Sequence, residues 1–148
     1  VNVAGAAAVT RAVLPRIRAA GGRIVFVSSV SGRIATPWTG AYNASKFAVS
    51  AFTEVLHHEN RASGVRFACV CPPPVATPLL AQGYATVMPK TIESMPPIEP
   101  RDVLDAIESA LAKGDFWVFP GKGTRTGYLM RRFFPNLIWK DVHKKEGF

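Results

Sequence analysis

Tyr42 and Lys46 are the residues whose types and spacing most directly suggest chemistry. They stand four apart in the segment 41–63, whose apolar residues recur at helical spacing, so both side chains lie on one helix face. A tyrosine hydroxyl titrates near pKa ~10, and a neighbouring ammonium lowers that pKa. A tyrosine tuned in this way can exchange a proton with an alcohol or a carbonyl near neutral pH. Ser29 follows a predicted strand and can hydrogen-bond the same substrate oxygen.

Alternating helices and strands must position these side chains. The apolar pattern predicts an α/β fold in which a parallel sheet is flanked by helices. Ligands of such sheets gather beyond the carboxyl ends of the strands, so Ser29 and the segment 72–77 should share one sheet edge. Pro15 is expected to kink or fray the first helix. The predicted helices cover 2–18, 41–63 and 100–113, and the predicted strands cover 23–28, 65–70 and 115–119.

The segment 75–99 is rich in Pro, Thr, Gly and Met and is predicted to be irregular. Long irregular connections inside a compact domain usually cover a site. We therefore expect Trp38 and the residues 88–95 to line a substrate pocket, and ordinary packing is the alternative.

A longer stretch around the pair is much more specific than the pair itself. The segment 21–59 reads GGRIVFVSSVSGRIATPWTGAYNASKFAVSAFTEVLHHE and resembles the short-chain dehydrogenase/reductase family. In that family a strand ends in a serine, a loop follows, and Tyr-x-x-x-Lys lies in a helix; here Ser29 precedes Tyr42 by 13 residues. Asn2 in the opening Val-Asn-Val looks like the family's active-site asparagine. The resemblance covers 1–119 and implies the C-terminal portion of a doubly wound Rossmann-type parallel sheet, with the N-terminal βαβ units missing.

The resemblance implies roles for four residues. Tyr42 would be the general acid in reduction and the general base in oxidation. Lys46 would lower the pKa of Tyr42 and bind the hydroxyls of the nicotinamide ribose. Ser29, rather than Ser28, would orient the substrate oxygen, and Asn2 would hold a helix irregularity and a water in a proton relay.

A second segment, CPPPVATP at 71–78, resembles the family's Pro-Gly-x-Val-x-Thr stretch. The resemblance makes Pro72, Val75 and Thr77, together with Tyr42 and Lys46, the expected binding residues for NAD or NADP. Pro73 stands where the family usually has glycine, which puts close backbone approach to the cofactor in doubt. The family's glycine-rich pyrophosphate turn has no counterpart here, so the choice between NAD and NADP stays open.

The end of the chain differs in composition from the rest. We divide the chain into a catalytic half at 1–120 and a basic, aromatic-rich extension at 121–148, which carries seven lysines and arginines against two acids in a protein of net charge +8. Residues 125–148 are expected to lie at a membrane surface or to pack on the domain or on a second subunit. We expect no nucleic-acid partner, no metal site and a cytoplasmic location. Cys69 and Cys71 are expected to be buried reduced thiols.

These observations predict an NAD(P)-dependent oxidoreductase that interconverts an alcohol and a carbonyl of a small molecule. The chain lacks an initiator Met, and we expect it to be a fragment that is inactive alone and that forms a homo-oligomer at full length. The rival hypothesis is a catalytically silent family member that serves as a binding or scaffold protein, at a membrane surface in one version. The sequence leaves the substrate and the direction of the reaction open.

Overall fold

Three parallel strands form the centre of the molecule, and helices cover both faces. A computed structural model describes residues 1–148. The turns at Val30–Gly32 and Arg61–Ser63 are 3-10 helical. In chain order the other elements are α1 (Ala4–Ala20), β1 (Arg23–Val27), α2 (Gly40–Glu59), β2 (Arg66–Val70), α3 (Pro78–Tyr84), α4 (Lys90–Glu93), α5 (Pro100–Lys113), β3 (Trp117–Val118), α6 (Thr124–Phe133) and α7 (Pro135–Glu146).

The strand order is β1-β2-β3, so β2 is the central strand. Side chains alternate between the two faces of a strand, and β2 divides its residues accordingly. Phe67 packs with residues of α2 and β1, whereas Ala68 and Val70 pack with Ala110 of α5. The sheet is therefore buried on both faces, which confirms the predicted α/β fold.

Proline and glycine residues mark several helix ends, as the sequence predicts. α5 begins at Pro100, where the Asp102 carboxylate accepts a hydrogen bond from the Glu99 N–H at 3.0 Å. It ends at Gly114, whose φ of 81° places it in the left-handed region that glycine adopts most readily. α1 ends in the same way at Gly21 and runs from Ala4 to Ala20 as one helix through Pro15, where a kink or a frayed end is expected.

Three predicted segments need correction. α2 ends at Glu59 rather than at residue 63, because the buried Asn60 side chain donates to the Leu56 carbonyl at 2.7 Å and closes the helix. β3 is two residues long, Trp117–Val118, instead of five. The segment 75–99 is not wholly irregular, since it contains α3 and α4 and an isolated parallel bridge between Val75 and Ile98.

Residues 121–148 fold back onto the rest of the chain as α6 and α7. The guanidinium of Arg33, just after the turn Val30–Gly32, donates to the Tyr128 hydroxyl of α6 at 2.8 Å. The same guanidinium lies 4.1 Å from the ring centroid of Trp117 in β3. α7 packs against α4, so packing on the domain is the arrangement found for this extension. None of the helices is both long and apolar enough to cross a membrane.

Candidate active site

A cleft of about 630 Å³ opens where β1 and β2 end. Beyond the strands, hydrogen bonds continue from the Ser28 N–H to the Val70 carbonyl at 2.8 Å and from the Val30 N–H to the Pro72 carbonyl at 2.9 Å. These bonds hold the two strand-end loops side by side. Because the carboxyl ends of parallel strands meet at one edge, Ser29 and Pro72 both line the cleft.

Ser28 and Ser29 are both buried and both line the cleft, but their hydroxyls make different hydrogen bonds. The Ser28 hydroxyl donates to the Lys46 carbonyl at 2.9 Å and lies 2.9 Å from the Ser50 hydroxyl, which fastens the loop to α2. The Ser29 Oγ accepts a hydrogen bond from the Ser31 N–H at 3.1 Å. That bond occupies an acceptor site of Ser29 and leaves its O–H free to donate.

Gly32 allows the loop to approach α2 this closely. A Cβ at this position would lie 2.7 Å from the Lys46 carbonyl oxygen and would collide with the Ser28 hydroxyl. The turn Val30–Gly32 is therefore seated directly on the backbone of the helix that carries Tyr42 and Lys46, and this contact fixes Ser29 relative to both.

Tyr42 and Lys46 lie on the same side of α2 and both line the cleft. The Lys46 Nζ is 5.8 Å from the centroid of the Tyr42 ring and donates to the Val27 carbonyl at 3.0 Å. Burial disfavours the ammonium and lowers the pKa of Lys46, while the nearby thiols of Cys69 and Cys71 act in the opposite direction. The Tyr42 side chain is 42% exposed, so an incoming ligand can reach it.

Asn2 lies outside the cleft lining but contacts the same helix. Its amide Nδ2 donates to the Ser45 Oγ at 3.0 Å, and that hydroxyl donates in turn to the Tyr42 carbonyl at 2.8 Å. Asn2 is thus linked to the turn of α2 that bears Tyr42 and not to the surface of the cleft itself.

The segment 72–77 forms another wall of the cleft, to which Pro72, Val75 and Thr77 all contribute. The Thr77 Oγ1 donates to the Val75 carbonyl at 3.2 Å and accepts from the Leu80 N–H at 3.4 Å, so it caps α3. Pro73 is buried in this wall.

Part of the cleft lining was not predicted from the sequence. Met88 and Ile92 line the cleft as expected, but Trp38 does not. Val103 and Leu104 of α5 were not predicted as site residues, yet both line the cleft.

Thr36 and Thr39 were missed altogether. Both line the cleft, and their hydroxyls lie 2.8 Å apart. The Asn43 amide donates to the Thr36 carbonyl at 2.7 Å and so ties this loop to the first turn of α2. Two threonines just before a predicted helix were the only signal in the sequence.

Other titratable groups do not form a second centre. No group of three or more His, Cys, Asp and Glu side chains could hold a metal ion. Cys69 and Cys71 are buried free thiols, and their mutual contact and burial raise the pKa of Cys71 far above its usual value. A second cavity of about 500 Å³ contains His57, His58 and Arg66, but it lies near the start of β2, away from the predicted residues.

The chain resembles known proteins in both sequence and fold. A family model described as short chain dehydrogenase matches residues 1–87. A 3-amino-tetrahydro-pyrrolizinone reductase of Xenorhabdus hominickii is 45% identical over 78 residues, 53% of this chain and 27% of that protein. A Drosophila melanogaster protein named dehydrogenase/reductase SDR family protein 7-like is 30% identical over 98% of this chain and 46% of its own length.

A solved structure shares the fold over nearly the whole chain. A short chain dehydrogenase from Burkholderia cenocepacia, solved in complex with NADP, superposes with a TM-score of 0.82 at 27% identity. The match covers 96% of this chain and 56% of that protein. The chain therefore spans between about a quarter and just over half of the length of these similar proteins.

Proposed function

Because the chain belongs to the short-chain dehydrogenase family, we propose that it carries the reaction-centre part of an NAD(P)-dependent oxidoreductase. The reaction would interconvert an alcohol and a carbonyl of a small molecule. The observation that carries this proposal is the meeting of Ser29, Tyr42 and Lys46 in one cleft at the carboxyl edge of a parallel sheet.

In the proposed mechanism, Tyr42 moves the proton. Its exposed hydroxyl would protonate the substrate oxygen in reduction and take the proton back in oxidation. The free O–H of Ser29 would donate a hydrogen bond to the same oxygen and hold it near Tyr42. Asn2, through Ser45, would hold the turn of α2 that carries Tyr42 in place.

The cleft fits the nicotinamide end of a dinucleotide. Lys46 has three N–H bonds and Val27 accepts one of them, so the others can donate to ribose hydroxyls. Pro72, Val75 and Thr77 form the wall against which the ring would lie. When bound, the dinucleotide supplies or accepts the hydride, while the protein supplies position and electrostatics. The proposed cofactor is NAD or NADP, and the NADP bound by the similar Burkholderia cenocepacia protein supports it.

The remainder of the dinucleotide site belongs, in this proposal, to residues that precede this chain in a full-length protein. β1 is the edge strand of the sheet, and Val27 at its end is 56% exposed. Further parallel strands at this edge would cover Val27 and bring the pyrophosphate-binding turn. The proposal also includes a homo-oligomer of the full-length protein and an inactive isolated chain.

Replacement of Tyr42 by phenylalanine tests the mechanism. In the full-length protein, Tyr42→Phe should lower turnover by about 10²–10⁴-fold, which is the usual contribution of a general acid–base. Thermal unfolding should stay unchanged, because only the hydroxyl of a residue that is 42% exposed is lost. Tyr84→Phe is the matched control, since Tyr84 is 43% exposed and does not line the cleft.

Two results of this experiment would contradict the proposal. Turnover by Tyr42→Phe equal to that of Tyr84→Phe would remove the role given to Tyr42. A wild-type protein that binds NAD or NADP but oxidises and reduces none of a broad panel of alcohols and carbonyls would favour the silent scaffold protein instead.

We also propose that the protein is cytoplasmic and that the elbow between α6 and α7 contacts an anionic membrane surface. The elbow consists of Phe133, Phe134 and Leu137, whose side chains are 65%, 58% and 55% exposed. Arg131 and Arg132 precede it directly. Exposed aromatic and aliphatic groups beside cations are typical of segments that insert into a headgroup layer and bind anionic lipid.

Vesicle flotation tests the elbow. The wild-type protein should float with vesicles that contain phosphatidylserine, and the double variant Phe133→Ser/Phe134→Ser should remain at the bottom of the gradient. Val9→Ser is the control, because Val9 is a comparably exposed apolar residue on α1. Equal flotation of the double variant and the wild type would refute the membrane contact.

A further inference from the structure

Glu146, in the last turn of α7, joins three distant parts of the chain. Its Oε1 accepts hydrogen bonds from the Thr91 N–H at 2.8 Å and from the Thr91 hydroxyl at 2.7 Å. Its Oε2 accepts from the indole N–H of Trp38 at 3.2 Å. One carboxylate therefore binds α4, the loop before α2 and the C-terminal helix together; we refer to these contacts as the Glu146 clasp.

Local helix preferences do not explain a glutamate at this position. The carboxyl end of a helix carries a partial negative charge, so an acidic side chain there is unfavourable and a basic one is preferred. Lys144 and Lys145 satisfy that preference, whereas Glu146 opposes it. Burial also disfavours its charge, yet the hydrogen bonds from Thr91, Lys90 and Trp38 lower the pKa of Glu146. The long-range contacts thus stabilise the carboxylate.

The residues held by the clasp adjoin the cleft. Thr91 stands beside Ile92 of α4, which lines the cleft, and close to Pro89, which also lines it. Trp38 stands beside Thr39, another lining residue. The clasp therefore connects two parts of the cleft lining that are distant in sequence, although Glu146 itself does not line the cleft.

The backbone of Trp38 adopts an uncommon conformation that the clasp helps to hold. Its φ of 66° lies in the left-handed region, which is uncommon for a bulky residue. Such conformations persist only where the surrounding structure holds them. Here the bond to Glu146 and the packing of the indole on the Phe148 ring, with centroids 5.4 Å apart, supply that restraint.

The segment 78–95 is held at both ends but packs loosely between them. Thr77 caps the start of α3, and the clasp binds Thr91 of α4. Between these points Leu79 and Val87 line the cleft and are 73% and 70% exposed. Without the clasp, α4 would lose this anchor and the loosely packed part could move, and such covering segments control substrate retention.

We propose that Glu146 is a positioning residue that fastens the segment 78–95 over the cleft and so sets how tightly substrate is held. This inference rests on the proposed oxidoreductase function. It assigns substrate retention to the C-terminal helices and leaves proton transfer with Tyr42.

The test compares Glu146→Ala and Glu146→Gln with Asp141→Ala in the full-length protein. Asp141 is an acid on the same helix, but it pairs only with the exposed Lys145, so its removal matches the change of charge. Loss of about 1–2 kcal/mol of contact energy corresponds to a factor of roughly 5–30. Glu146→Ala should therefore raise KM about 5–30-fold with kcat within about twofold, and Glu146→Gln should give a smaller rise because it keeps an acceptor.

Amide hydrogen exchange provides a second readout that does not depend on turnover. The Thr91 N–H bonds directly to Glu146, so its exchange should accelerate at least about tenfold in Glu146→Ala and remain unchanged in Asp141→Ala. If Glu146→Ala does not fold, Glu146→Gln gives the same comparison.

Identical KM and identical Thr91 exchange in the Glu146 and Asp141 variants would overturn the inference. Exchange that accelerates without a change in KM would show a purely structural contact and would also overturn it. If Tyr42→Phe keeps full turnover instead, the proposed mechanism fails, but the exchange measurement still reports on the clasp.

Discussion

Replacing Gly32 by alanine tests how the candidate active site is assembled. Gly32 lies in the turn that follows Ser29, and this turn is seated on the backbone of α2. A Cβ at this position would lie 2.7 Å from the carbonyl oxygen and 2.9 Å from the carbonyl carbon of Lys46. Carbon atoms pack best about 3.5–4.0 Å apart. Since the obstructing atoms belong to a helix backbone, they cannot rotate away as a side chain would.

The magnitude follows from two contributions. Forcing a methyl group into a filled space usually costs about 1–3 kcal/mol. Moving the turn away from α2 also stretches the 2.9 Å hydrogen bond from Ser28 to the Lys46 carbonyl, and a lost hydrogen bond contributes about 1 kcal/mol. We therefore expect Gly32→Ala to lower the free energy of unfolding by about 2–4 kcal/mol. In the full-length protein it should also lower kcat, because Ser29 moves relative to Tyr42.

Gly40→Ala is the matched control for this substitution. Gly40 is the first residue of α2, and a Cβ there would meet no atom within 4 Å. A glycine replaced without strain usually stabilises a protein by about 0.4–1 kcal/mol. Urea denaturation of both variants gives the comparison. If Gly32→Ala is as stable as Gly40→Ala, the close seating of the turn on α2 is wrong, and so is the account of how Ser29 is positioned.

Three further substitutions test individual contacts. Burial lowers the pKa of Lys46, so the folded state binds fewer protons than the unfolded state between the lowered pKa and about 10.4. The stability of the wild type relative to Lys46→Met should therefore rise as the pH increases through this range. Denaturation at increasing pH measures this difference. The pKa of Glu146 is also lowered, so its carboxylate stabilises the fold above the ordinary pKa of about 4.3. The difference in unfolding free energy between the wild type and Glu146→Gln should disappear as the pH falls through the lowered pKa. Asn60→Ala should cost about 1–3 kcal/mol in urea denaturation, because it removes the bonds that the buried Asn60 makes to the Leu56 carbonyl and to Arg18.

The parts of the fold that could be predicted depend on neighbouring residues. α5 has the predicted bounds because a proline and a glycine mark its ends. Tyr42 and Lys46 share the cleft because their spacing alone puts them on one helix face. Ser29 reaches the same cleft because parallel strands end at a common edge. Each of these inferences needs only a short stretch of sequence and a general rule of chain geometry.

The parts that could not be predicted depend on contacts between distant residues. Nothing near Asn60 in the sequence indicates that Arg18, 42 residues earlier, bonds to its side chain where α2 ends. In the sequence, Glu146 is one of two acidic residues in the basic extension, and nothing nearby indicates its partners, which lie 55 and 108 residues away. The short helices inside 75–99 are equally hidden, because α4 has only four residues and packs on α7. Composition predicts a covering segment there, and several of its residues line the cleft, but composition cannot say what holds the segment in place.

Substitutions near the reaction centre and substitutions in the C-terminal helices should affect the proposed enzyme differently. The groups proposed to move the proton lie within 18 residues, from Ser29 to Lys46, and a buried network from Ser28 to Ser50 fixes their geometry. The contacts that restrain the covering segment come from the C-terminal helices, and they are exposed or only partly buried. Exposed contacts tolerate substitution far better than buried ones. Substitutions in residues 121–148 should therefore alter KM and substrate preference first, whereas substitutions around Ser28 and Gly32 should reduce stability and kcat together.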